Sequence, residues 1–155
     1  WYEAEGGIDL QTAGAAFRLT AKADRIDLMA GGELTILDFK TGKPKSDKQI
    51  AAGLEQQMPL QALIAREGGF ADVPAAPVEA LVYVAFRARP EMRELKADPE
   101  ELADAARTGL MRLIGAYRHE GQVYLSAPRV QFVAYDYGYN RLARRAEWSA
   151  EVADE

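Results

Sequence analysis

The chain has 155 residues, 48% of them apolar and 28% charged, with a net charge of −5 and no cysteine. Those values suit one ordinary globular domain with room for a core, and they exclude disulfides, thiolate metal sites and thiol nucleophiles. No apolar run approaches the ~18 residues of a membrane span, and net acidity argues against a surface that is basic throughout.

Residues 1 to about 10 and Ala15 to Met29 are predicted as strands, the second carrying Phe17, Leu19, Ile26 and Leu28 among polar neighbours. Gly31-Gly32 is predicted as a two-residue hairpin turn, because glycine accepts the positive φ such turns require. Glu33 to Lys40 follows as a third strand, apolar on both faces and therefore central. Thr41-Gly42-Lys43-Pro44 ends it. Ser46 with Gln49 matches a capping box and opens a helix. That helix is predicted to run to about Glu67, kink at Pro59 and stop at Gly68-Gly69. Val78 to Phe86 is a fourth, buried strand. Asp98 and Pro99 begin a second long helix, with Leu102, Ala106, Leu110, Leu113 and Tyr117 along one face to about His119. Arg129 to Tyr135 is predicted as a fifth strand and Tyr139 to Glu151 as a short helix around Leu142 and Trp148. This order predicts one α/β domain over residues 1–155, a mixed β-sheet flanked by helices. Absence of a signal peptide and of cysteine fits a cytoplasmic, membrane-free location.

The chemistry concentrates in Asp24-Arg25-Ile26-Asp27 and Leu37-Asp38-Phe39-Lys40-Thr41-Gly42. Strand alternation puts Asp38 and Lys40 on one face and Phe39 on the other. With Ala30 opposite Glu33 across the turn, Asp27 faces Ile36 and Arg25 faces Asp38. Asp27 and Asp38 are then diagonal neighbours, with Cβ atoms roughly 7–8 Å apart or somewhat less. Two carboxylates at that spacing can share one hard cation. Lys40 adds a compact positive charge at the end of a buried strand, where an unpaired charge is costly. Mg²⁺ or Mn²⁺ at such a site activates water and draws charge from phosphate oxygens, which is what phosphodiester hydrolysis needs. The competing interpretation is an ordinary Asp38–Lys40 ion pair. Basic residues cluster at Lys40, Lys43, Lys45 and Lys48, at Arg87, Arg89 and Arg93, and at Arg141, Arg144 and Arg145. Each cluster reads as solvated charge or as part of a nucleic-acid groove.

Asp-Arg-Ile-Asp, then Leu-Asp-Phe-Lys-Thr-Gly, then Gln57-x-x-x-Gln61 resembles the PD-(D/E)xK nuclease superfamily. Within it the sequence looks like RecB-family domains, in particular the C-terminal nuclease domain of AddB-like double-strand break repair helicase–nucleases. The likeness is strong from about Ala23 to Ala62 and rests on element order elsewhere. It implies a restriction-endonuclease-like ββαβ core and Mg²⁺- or Mn²⁺-dependent cleavage of DNA in repair and recombination. It also implies an AddA-like partner subunit and a place as a fragment of a larger chain. The resemblance assigns Asp27 and Asp38 as metal ligands, the carbonyl of Phe39 as a further ligand and Lys40 as the catalytic lysine. Gln57 takes the place of the glutamine in the family's Gln-x-x-x-Tyr motif, with Gln61 standing where Tyr is usual. Together they are expected to project toward the strand ends, to position DNA or orient a carboxylate. Family members commonly carry a metal-binding His on a helix before the first strand; this sequence starts at Trp1 in the first predicted strand, and its one His, His119, lies far downstream. With no cysteine, the iron–sulfur cluster of many AddB-like nucleases cannot form. A catalytically inactive domain of the same fold, guiding DNA or bracing a partner subunit, is the alternative. A CRISPR-associated or phage exonuclease is a third.

Overall fold

The computed structural model describes residues 1–12, 15–86, 89–124 and 142. The chain divides into two compact units, Trp1–Arg118 and His119–Glu155, and the elements below all lie in the first. Strands β1 (Tyr2–Thr12), β2 (Ala15–Leu28), β3 (Leu34–Lys40), β4 (Val78–Ala85) and β5 (Glu91–Glu94) lie side by side in chain order. Helices α1 (Asp47–Ala51) and α2 (Gln57–Arg66) join β3 to β4, and α3 (Pro99–Tyr117) follows β5. Every neighbouring pair is antiparallel except β3 and β4, which run parallel. Parallel neighbours need a crossover rather than a turn, and α1 with α2 supplies it. The expected mixed sheet with flanking helices is the fold observed.

One face of the sheet carries the core. Ile26, Leu34, Ile36, Leu81 and Tyr83 pack with Met58, Ala62, Leu63 and Ala65 of α2 and with Leu102 and Ala103 of α3. Side chains alternate along β3, so Leu34, Ile36 and Asp38 share that covered face and Thr35, Leu37 and Phe39 the other. Arg66 of α2 reaches Glu100 at 2.9 Å and Asp104 at 2.8 Å on α3, and Glu100 also accepts the Val78 N–H at 3.0 Å. A single carboxylate thus holds both helices against the start of β4.

Three expectations are corrected. The hairpin between β2 and β3 is one residue longer than a two-residue turn. Leu28 pairs with Leu34, Met29 and Glu33 close the loop through an N–H···O bond of 2.8 Å, and Gly32 adopts φ +99°. Three-residue loops with a left-handed glycine are the next common hairpin after the two-residue kind. The long helix is two helices, broken at Ala52–Gln56 where Gly53 takes φ +74°. Pro59 does not kink it, because the proline lies in the first turn of α2, where no N–H donor is called for. An unexpected strand, β5, forms from Glu-Met-Arg-Glu, a charged four-residue stretch of the kind that blunts sheet edges. The predicted strand at 129–135 and helix at 139–151 fall outside the described residues, apart from Leu142.

Candidate active site at the end of the central strand

Asp38 is buried to 1% exposure beneath the start of α2. Its Oδ1 accepts from the Gln57 amide at 2.7 Å and from the Lys40 ammonium at 3.2 Å. The Lys40 ammonium also donates to Gln57 Oε1 at 2.8 Å, closing a three-membered ring of side chains. The amide orientation follows from chemistry, since a carboxylate only accepts and an ammonium only donates. Asp38 Oδ2 lies 2.9 Å from Lys40 Nζ as an ion pair, yet it is buried and takes no hydrogen bond. Burial pushes the Asp38 carboxyl above its ordinary range; pairing with Lys40 opposes that shift, and the charges of Asp24 and Glu55 add to it.

Asp24 reaches this site in an unusual way. The inward residues of β2 run Phe17, Leu19, Ala21, Ala23 and then Ile26, so alternation changes phase between Ala23 and Ile26. The β2–β3 ladder ends at Arg25–Leu37. One step beyond, the Asp24 carboxylate replaces the missing ladder partner and accepts the Phe39 N–H at 2.8 Å. Across β1 at the same level, Glu3 holds φ +52°, a left-handed conformation rare outside glycine, and pairs with Lys22. An irregularity of this kind re-aims a side chain that a regular ladder would leave pointing elsewhere.

Asp27 is placed differently from expectation. It pairs with Thr35, not Ile36, and so lies on the face opposite Asp38. There it binds Arg25 through two contacts of 2.8 Å. The longer hairpin loop causes this: a one-residue slip in register exchanges the faces of every side chain. Asp38, Lys40 and Gln57 come together as expected. Gln61 does not join them; it is buried, and its amide donates to the Lys22 carbonyl at 2.9 Å, bracing α2 against β2 just before Asp24. The side chain of Phe39 lies on the far face, tilted against Phe86 with 5.6 Å between ring centres. Sequence reasoning missed Asp24 and Glu55, and the usable signal for Asp24 was a third loop residue, Ala30, before the paired glycines.

The donor set can be tested against a divalent cation. Among the described residues no three His, Asp or Glu side chains converge closely enough to form a complete cage. Mg²⁺, however, is characteristically held by one or two carboxylates with substrate phosphates and water completing the shell. Asp38 Oδ2, buried without a hydrogen bond, and the neighbouring Asp24 carboxylate fit that requirement.

An uncharacterized protein of Rickettsia felis is 36% identical over 70 residues, 45% of this chain and 8% of that protein. Uncharacterized protein RC0550 of Rickettsia conorii is 34% identical over the same shares. This chain therefore covers only a small part of the length of these relatives. The crystal structure of SSO0001 overlaps 72% of this chain and 50% of its own, at 17% identity and a TM-score of 0.40. The profile of the PD-(D/E)XK nuclease superfamily matches residues 1–135. With most of its length matched in this way, the chain belongs to the PD-(D/E)XK nuclease superfamily.

Proposed function

We propose that this chain is a DNA-cleaving nuclease module using Mg²⁺ or Mn²⁺, and that Asp24 and Asp38 hold the ion with the Phe39 carbonyl as a further ligand. The observation that carries this reading is the buried Asp38, its Oδ1 held by Gln57 at 2.7 Å and Lys40 at 3.2 Å, and its Oδ2 ion-paired with Lys40 at 2.9 Å but accepting no hydrogen bond. A bound cation supplies Lewis-acid charge at the phosphate and eases deprotonation of water. The chain's own residues do the rest. Gln57 fixes the rotamer of Asp38. Asp24, anchored on the Phe39 amide, is aimed at the same end of β3. Lys40, once released from Asp38, presents a compact ammonium to the charge that builds on phosphate oxygens.

The resemblance of the motifs to RecB- and AddB-like domains supports a role within double-strand break repair, beside an AddA-like helicase–nuclease subunit. Relatives in which a similar stretch is a small part of a much longer chain suit that arrangement. A catalytically inactive domain that guides DNA is favoured by one fact, the lack of a complete cage among the described residues. End-labelled linear DNA incubated with the chain separates the two. Shortening of the label in Mg²⁺ or Mn²⁺, abolished by Asp38→Asn and by EDTA, is expected. Binding without cleavage under any divalent ion would overturn the catalytic reading.

A further inference from the structure

A cavity of about 760 Å³ lies beside Asp38 on the covered face of the sheet, lined in part by Lys43, Lys45, Ser46, Tyr83, Glu91 and Arg93. Its floor residue, Tyr83, is the register partner of Asp38 on β4, so the cavity is one strand away from the acid–lysine site. The loop from Thr41 to Ser46 carries Lys43 and Lys45 directly from Lys40 to the cavity wall. The third cation is already used: Arg93 donates to Asp47 at 2.6 Å and to the Lys45 carbonyl at 2.5 Å, and lies over the Tyr83 ring at 5.5 Å. Arg93 therefore braces the loop. Lys43 and Lys45 are exposed, and no ion pair among the described residues neutralises either ammonium. Glu91 is the one acid on the lining among the described residues.

We propose that Lys43 and Lys45 hold the phosphates of one nucleic-acid strand flanking the scissile position, with the adjoining nucleotide seated in the cavity floored by Tyr83. The volume is that of a pocket for one small ligand, which suits a nucleotide of a single strand and is too small for a duplex. The two lysines are positioning residues: they act on where the strand lies, and Lys40 remains the cation at the reacting phosphate. This inference rests on the nuclease reading for the direction of the strand, and on the cavity alone for its existence.

The test is binding of a fluorescein-labelled single-stranded oligonucleotide to the whole chain in EDTA across a salt series, with cleavage in Mg²⁺ measured in parallel. Lys43→Ala with Lys45→Ala is expected to weaken binding roughly tenfold at low salt and to flatten the log–log salt slope by about 1.4, two charges at ~0.7 each. In cleavage the loss should appear in KM, with kcat retained. Lys48→Ala, on α1 and outside the cavity lining, is the control expected to bind as the unaltered chain does. If the unaltered chain cleaves DNA and the double variant binds and cleaves equally well, the cavity assignment is wrong and the nuclease reading stands. If binding depends on these lysines but nothing is cleaved, the assignment stands and the nuclease reading falls. If the unaltered chain binds no strand at all, both fall.

Discussion

At the scale of single residues, Asp24 and Asp27 make the sharpest contrast. They are three positions apart in one short motif, yet one is felt at Asp38 and the other lies across the sheet with Arg25. Asp24→Asn should reduce DNA cleavage by roughly 10²-fold or more, the scale of losing one electrostatic contact to the reacting group. Asp27→Asn should leave the rate within a few-fold, since it breaks only a half-exposed ion pair worth about 0–1 kcal/mol. A parallel rate assay of the two variants decides the matter, and equal losses would mean that the faces are assigned wrongly. Asp38 adds a pH dependence. Its carboxyl is raised by burial, so the folded state keeps this proton at pH values where the unfolded chain has released it. The stability Asp38 contributes is accordingly fully present below the ordinary carboxylate range and is lost as pH rises from there through the raised value. Asp38→Asn, a neutral mimic of the protonated acid, should flatten that fall and unfold at a higher temperature than the unaltered chain near pH 8, while losing all cleavage. Thermal melts from pH 4 to 8 check both statements.

Elements explain what was legible in the sequence and what was not. The capping box at Ser46, the proline start of α3 and the glycine stop after α2 each depend on neighbours within four residues, and all three are present. The β2–β3 register depends on loop length, and there a glycine pair allowed two answers that differ by one residue. Since side chains alternate with period two, that small ambiguity moved a carboxylate to the other face. Gln57 was legible as a site residue only through the family's Gln-x-x-x-Tyr motif; Gln61, four positions on, was captured by a backbone carbonyl of β2 instead. β5 was hidden by composition, because Glu91–Glu94 has no apolar alternation to mark it as a strand beside β4. At this scale Glu100 is the residue to test. It accepts from Arg66 and from the Val78 amide, so Glu100→Ala leaves a partly buried donor unsatisfied and should cost about 1–3 kcal/mol by urea titration. Glu100→Gln, which can still accept from Val78, should cost less than half of that.

For the molecule as a whole, the two faces of the sheet have different tasks. One is sealed by α2 and α3 and holds the acid–lysine site at its edge. The other carries the Phe39–Phe86 pair, with Phe86 at 56% and Met92 at 69% exposure. No helix among the described residues is long and apolar enough to cross a membrane. A ligand that binds only the native state stabilises it by mass action, about 2.7 kcal/mol at a hundred times its dissociation constant. Mg²⁺ or Mn²⁺ should therefore raise the unfolding temperature of the unaltered chain and not that of Asp38→Asn. Equal shifts in both proteins would place the ion somewhere other than Asp38.

The ring of Asp38, Lys40 and Gln57 has a consequence for how the site is loaded. The Lys40 ammonium partly offsets the charge of the buried acid, so that corner of the core carries its own tethered counter-ion. If the proposed ion binds at Asp38, loading would be an exchange in which it displaces that tethered ammonium, and the corner would open only where free divalent ion is abundant enough to win the contest.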